Sequence, residues 1–114
     1  MTIGIGMIGS GFMGLTYSEA IAKHVRGAKF VGVTGGKRAA ELAKDYDVWE
    51  APSVESLLAR DDVQAVLLAT PDQNRKDLTL AAAAAGKHVL AEKPMAPTVA
   101  DCDAMIAACR RAKV

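Results

Sequence analysis

Three glycines near the start of the chain are its first candidates for chemistry. Gly9-Ser10-Gly11-Phe12-Met13-Gly14 has the spacing G-x-G-x-x-G and directly follows the apolar run Ile3, Ile5, Met7, Ile8. The motif therefore falls between a predicted strand and a predicted helix, the context that gives the pattern meaning. There the first glycine permits a tight turn. The second lets the backbone approach a pyrophosphate with no Cβ in the way, and the third lets the helix sit close against the sheet. The anion would rest on the unpaired N–H groups at the helix N-terminus. All six residues are thus candidate contacts to a dinucleotide. A ligand-free turn is the poorer reading, because three helix-disfavouring glycines at this spacing serve packing alone badly. A different nucleotide is the other reading: methyltransferases also place a glycine-rich turn after their first strand, but their usual pattern does not carry the third glycine at this offset.

Dinucleotide sites commonly place a carboxylate about 20 residues further on, at the end of the second strand, to accept from the ribose 2′-hydroxyl. Here that place reads Thr34-Gly35-Gly36-Lys37-Arg38, and the nearest carboxylate, Glu41, lies inside the next helix. A small turn followed by two cations suits a 2′-phosphate, which Arg38 can hold through two N–H groups while stacking on adenine. Cations at a helix N-terminus oppose the helix dipole, so their placement wants a reason. NADP(H) is therefore favoured over NAD(H), with Gly35, Lys37 and Arg38 as contacts; a solvated helix end is the alternative.

Two further segments carry a resemblance. Gly86-Lys87-His88-Val89-Leu90-Ala91-Glu92-Lys93-Pro94 and Ala69-Thr70-Pro71-Asp72, together with the glycine motif, resemble the nucleotide-binding domain of the Gfo/Idh/MocA oxidoreductases from Ile3 to the last helix. The resemblance implies hydride transfer between a nicotinamide and a hydroxyl- or carbonyl-bearing carbon of a sugar, inositol or related polyol. It implies that Lys93 reaches the nicotinamide ribose and the substrate, that Glu92 supports it beside Pro94, and that Thr70 and Pro71 lie against the cofactor. Physically, an ammonium at the C-terminal end of a parallel strand can polarise a carbonyl oxygen or stabilise an alkoxide, which makes Lys93 the candidate catalytic residue. Asp72 stands where the family usually has asparagine, and Arg75 and Tyr17 stand where it often has histidine. The family's acid/base histidine and its substrate pocket belong to a C-terminal domain. Residues 1–114 are accordingly read as one dinucleotide-binding domain, ending before the last strand and the substrate domain. The chain alone is expected to bind cofactor without efficient catalysis. Two other readings are a non-catalytic NAD(P)-sensing module, which would have no use for Lys93, and a structural fragment that self-associates.

Strand and helix patterns alternate to position these residues. Thr2–Ile8 reads as a strand, Phe12–Val25 as a helix with Met13, Tyr17, Ala20, Ile21 and His24 on one face, Lys29–Thr34 as a strand and Arg38–Tyr46 as a helix. A short strand at Val48–Glu50 precedes a helix that Ser53 caps and that runs to about Asp61. Val63–Thr70 reads as a strand covered on both faces. Asp72 reads as N-cap of a helix to Ala85, His88–Ala91 as the fifth strand, and Thr98–Ala112 as a helix with Val99, Cys102, Ile106 and Cys109 on one stripe. Such alternation implies a doubly wound α/β fold, a parallel sheet with right-handed crossovers.

Composition excludes other classes. Over 114 residues, 14 Lys and Arg balance 13 Asp and Glu, leaving no broad basic field for nucleic acid or an anionic membrane. Glycines break the N-terminal apolar run, and nothing approaches the roughly 18 to 20 apolar residues a membrane span requires. Cys102 and Cys109 fall on one helix about 10 Å apart and cannot bridge each other. Reduced core cysteines fit a cytoplasmic protein. His24 and His88 form no constellation, no metal site is expected, and Trp49 reads as packing at the sheet edge.

Overall fold

The computed structural model describes residues 2–114. Five strands, β1 (Ile3–Ile8), β2 (Ala28–Thr34), β3 (Trp49–Glu50), β4 (Ala65–Leu68) and β5 (His88–Ala91), form one sheet in the order β3-β2-β1-β4-β5. Every pairing is parallel. The helices are α1 (Phe12–Lys23), α2 (Ala39–Tyr46), α3 (Val54–Leu58), α4 (Arg75–Ala84) and α5 (Val99–Ala112).

Two apolar layers cover the sheet, because successive strand residues point to opposite faces. Met7, Phe30, Val33 and Leu67 meet Ile21 of α1 and Ala39, Leu42 and Ala43 of α2. Ile8, Val31, Val66 and Leu68 meet Leu57 and Leu58 of α3 and Ala82 of α4. Phe30 and Val33 share a face despite their odd separation, because the β1–β2 register shifts by one residue after Ile5. The extra residue, Val31, inverts the parity.

Several elements differ from the sequence reading. β4 ends at Leu68 and α3 at Leu58, earlier than apolarity alone suggested. A 3-10 turn at Asp72–Asn74 separates β4 from α4, and the Asp72 side chain caps nothing. Ser53 does cap α3, through a reciprocal box with Ser56. His24 lies exposed at the end of α1, whose buried residues are Gly14, Ser18 and Ile21. On α5 the buried residues are Met105 and Ala108, whereas Val99 is 77% and Ile106 41% exposed. α5 packs principally on α4, so the face turned to α4, and not the Val99–Ile106 stripe, is the one covered. Both cysteines are free and half-buried. Trp49 is half-buried on the edge strand with the Arg60 guanidinium 4.7 Å from its ring centroid.

Candidate dinucleotide site

The register brings the sequence motifs together. Ile8 pairs with Thr34 on one side and Leu68 on the other, and Leu68 pairs with Ala91. The next residues continue the ladder: Gly9 N donates to Thr34 O at 2.8 Å, Ala69 N to Ile8 O at 2.8 Å and Glu92 N to Leu68 O at 3.2 Å. The glycine turn, Gly35–Arg38, Ala69–Pro71 and Glu92–Pro94 therefore line up along the C-terminal edge of the sheet. The strand order reverses direction between β1 and β4, which is where open α/β sheets bind ligands.

The three motif glycines do different work. Gly9 has φ +111°, and a Cβ there would stand 2.5 Å from Ala69 O; a Cβ on Gly14 would stand 2.5 Å from Gly9 O. Both are required by the protein's own backbone. A Cβ on Gly11 would meet nothing within 4 Å, and its φ of −79° suits any residue. Nothing inside the chain calls for glycine at position 11. The open space lies at the start of α1, whose N-cap is Gly11, with no side-chain cap and no acidic residue in the first turn. Its first N–H groups are left for an anion. This cradle fits a pyrophosphate.

Ser10 is 1% exposed, and its hydroxyl is used internally: it donates to Gly35 O at 2.8 Å and accepts from Arg38 N at 3.0 Å. It ties the phosphate turn to the turn after β2. Lys37 and Arg38 are both exposed beside that turn, with Arg38 as the uncapped N-cap residue of α2. Phe12 is 79% exposed and Met13 half-buried.

At the other end, the Tyr17 phenol donates to Glu92 Oε2, and Lys93 N donates to Glu92 Oε1 at 2.8 Å. The phenol bond holds the Glu92 carboxyl below its ordinary range, helped by the Lys93 N–H and the Arg75 and Lys93 charges. The same bond pushes the Tyr17 phenol up, with burial and the carboxylate charge adding to it. Lys93 and Pro94 are exposed at the strand end. The Thr70 hydroxyl is buried with no partner.

Arg75 is buried at 6% exposure and donates to Thr70 O at 2.5 Å, to Glu92 O at 2.6 Å and to Pro94 O. Sequence reasoning marked Arg75 and Tyr17 as departures from a family pattern and missed what they touch. The contacts cross from α4 and α1 to the end of β5, so no local signal carries them. A cavity of about 430 Å3 lies beside β5, walled by Val89, Ala91, Met105 and Ile106 and reaching Glu92 and Lys93. Among the described residues no helix is long and apolar enough to cross a membrane, and no group of three or more His, Cys, Asp or Glu could hold a metal ion.

A parallel sheet with an uncapped helix terminus and a glycine turn at its switch point defines a dinucleotide-binding Rossmann domain. The chain belongs to the Gfo/Idh/MocA family, described as an oxidoreductase family with an NAD-binding Rossmann fold, whose model matches residues 3–114. It is 38% identical over 112 residues to inositol 2-dehydrogenase 1 of Saccharopolyspora erythraea, covering 94% of this chain and 33% of that protein. It is 33% identical over 109 residues to 2,7-anhydro-N-acetylneuraminate hydratase of Mediterraneibacter gnavus, covering 96% of this chain and 29% of that one. The crystal structure of GenD2 from gentamicin A biosynthesis, in complex with NAD, superposes with a TM-score of 0.93 at 25% identity, covering 99% of this chain and 33% of that one. The chain thus spans about a third of the length of the relatives it matches.

Proposed function

We propose that residues 1–114 are the cofactor-binding domain of a nicotinamide-dependent oxidoreductase acting on a hydroxyl- or carbonyl-bearing carbon of a sugar, inositol or related polyol. The observation that carries the binding assignment is Gly11: the fold does not need its missing Cβ, and the space that Cβ would fill lies on an uncapped helix N-terminus. The N–H groups at the start of α1 would hold the pyrophosphate. Thr70, Pro71, Glu92 and Pro94 border the nicotinamide end. A bound nicotinamide supplies the hydride acceptor or donor. Lys93, exposed at that end, carries an ammonium suited to polarise the substrate carbonyl or stabilise the alkoxide. The substrate class is supported by the inositol dehydrogenase among the relatives.

Lys37 and Arg38 favour NADP(H), since two exposed cations flank the turn after β2 and no carboxylate stands there. In the family the acid/base histidine and the substrate pocket belong to a C-terminal domain, so residues 1–114 by themselves are expected to bind cofactor and to turn over inefficiently. Calorimetric titration with NADPH and NADH tests both assignments. NADPH binds the more tightly, and Arg38→Ala removes most of that preference, weakening NADPH by about tenfold through loss of a charge-assisted pair and leaving NADH nearly unchanged. Tighter binding of NADH would refute the role of Lys37 and Arg38 alone. Binding of neither would refute the dinucleotide assignment.

A further inference from the structure

Among the described residues Arg75 is the one charged side chain that is buried. It makes no ion pair within 4.0 Å there, and its charge is met by three backbone carbonyls. Thr70 O lies just beyond the end of β4, while Glu92 O and Pro94 O stand on either side of Lys93. The last ladder bond between these strands is Glu92 N to Leu68 O, and residues 93–97 make no backbone–backbone hydrogen bond of their own. Beyond Glu92 the guanidinium takes over from the sheet. Its planar fork offers five donors and reaches carbonyls from two segments at once, which a lysine ammonium on a flexible stem does not match. A buried cation is costly to place without partners, so these bonds resist being opened.

We propose that Arg75 is a positioning residue for the nicotinamide end of the cofactor site: by clamping the carbonyls on both sides of Lys93 to the end of β4, it fixes where Lys93 and Glu92 stand against the ring. The inference rests on the dinucleotide reading above and adds to it a residue that touches neither cofactor nor substrate. It separates the two ends of the site, because the adenosine and pyrophosphate contacts lie on the glycine turn and on Gly35–Arg38, which Arg75 does not touch.

The test compares the full cofactor with the same molecule lacking nicotinamide. NADPH and 2′-phospho-ADP-ribose, and in parallel NADH and ADP-ribose, are titrated into the 114-residue chain and into its Arg75→Met and Arg75→Lys variants, with NADPH fluorescence recorded in the bound state. Folding is checked by circular dichroism; if Arg75→Met does not fold, Arg75→Lys, which keeps the charge but not the fork, carries the comparison. The expected result is a loss of about tenfold for the full cofactor against less than about twofold for the fragment, a smaller loss in the lysine variant, and altered fluorescence of bound NADPH. Equal losses for both ligands, or no loss for either, would overturn the positioning role while leaving the dinucleotide site standing. So would a wild-type chain that binds both ligands equally with NADPH fluorescence unmoved by the variants. A wild-type chain that binds neither ligand overturns the dinucleotide reading, and the positioning role with it.

Discussion

Replacing Gly11 with alanine, beside the same change at Gly14, separates what the fold needs from what a ligand needs. A Cβ at position 14 would stand 2.5 Å from Gly9 O and 3.0 Å from Gly9 C. Backbone lies on both sides of that contact, so the collision falls toward the upper end of the roughly 1–3 kcal/mol that overpacking costs. Helix propensity returns about 1 kcal/mol of it. Gly14→Ala should therefore lose about 1–2 kcal/mol of stability, a fall in Tm of about 4–8 °C. Position 11 behaves differently because nothing lies within 4 Å of the added methyl. Alanine is a poorer N-cap than glycine by roughly 0.5–1 kcal/mol. Against this, the restricted unfolded chain contributes about 0.4–1 kcal/mol in favour of the variant. The two nearly cancel, and Tm should stay within about 2 °C of wild type. Affinity should not survive: the methyl occupies the pyrophosphate space and displaces at least one N–H bond to phosphate, worth about 1.5–3 kcal/mol. Kd for NADPH should rise by about 10- to 100-fold. Thermal melts and calorimetric titration of the two variants give the comparison. If Gly11→Ala binds NADPH within about twofold of wild type at unchanged Tm, the open space over the turn is not where the pyrophosphate lies, and the assignment of α1 as the anion site is wrong.

Tyr17→Phe removes the bond that most lowers the Glu92 carboxyl, so that group should titrate at higher pH, read by carboxyl-resolved NMR. The depressed Glu92 value contributes stability above the ordinary glutamate range near about pH 4.3, lost as pH falls through the folded value. The raised Tyr17 value contributes stability below about pH 10, lost as pH rises through the folded value. In the phenylalanine variant the acid dependence should weaken and the Tyr17 contribution at alkaline pH should vanish with the phenol, and an unchanged acid limb would mean that the phenol does not set the Glu92 charge. Ser53→Ala breaks the capping box on α3 and should cost about 1 kcal/mol in urea unfolding with no change in nucleotide affinity. A change in affinity would show that α3 communicates with the site.

Much of the architecture was legible in the chain. The apolar runs, the punctuating glycines and the Ser53–Ser56 cap are local signals, and they located all five strands and five helices with shifts at the ends. Helix and strand ends depend on which backbone groups find partners, and this is why β4 stopped at Leu68 and a 3-10 turn intervened at Asp72–Asn74. The α5 stripe was misread because helical period shows which residues share a face but not which face meets a neighbour. The packing of α5 on α4 made that choice in favour of Met105 and Ala108.

By itself the sequence determined a doubly wound sheet, the glycine turn between β1 and α1, the missing carboxylate after β2 and the Glu92-Lys93-Pro94 segment after β5, because each is a matter of residue type and short-range spacing. The tertiary structure alone decided which motif glycine the protein does not need for itself, since that turns on Ala69 and Gly9 approaching across the sheet edge. It also decided that Ser10 spends its hydroxyl on Gly35 and Arg38, that Tyr17 holds Glu92, and that Arg75 is a buried clamp and not a surface cation. These partners are brought together by the parallel register, and a hydrogen bond between distant residues has no trace in the sequence around either of them.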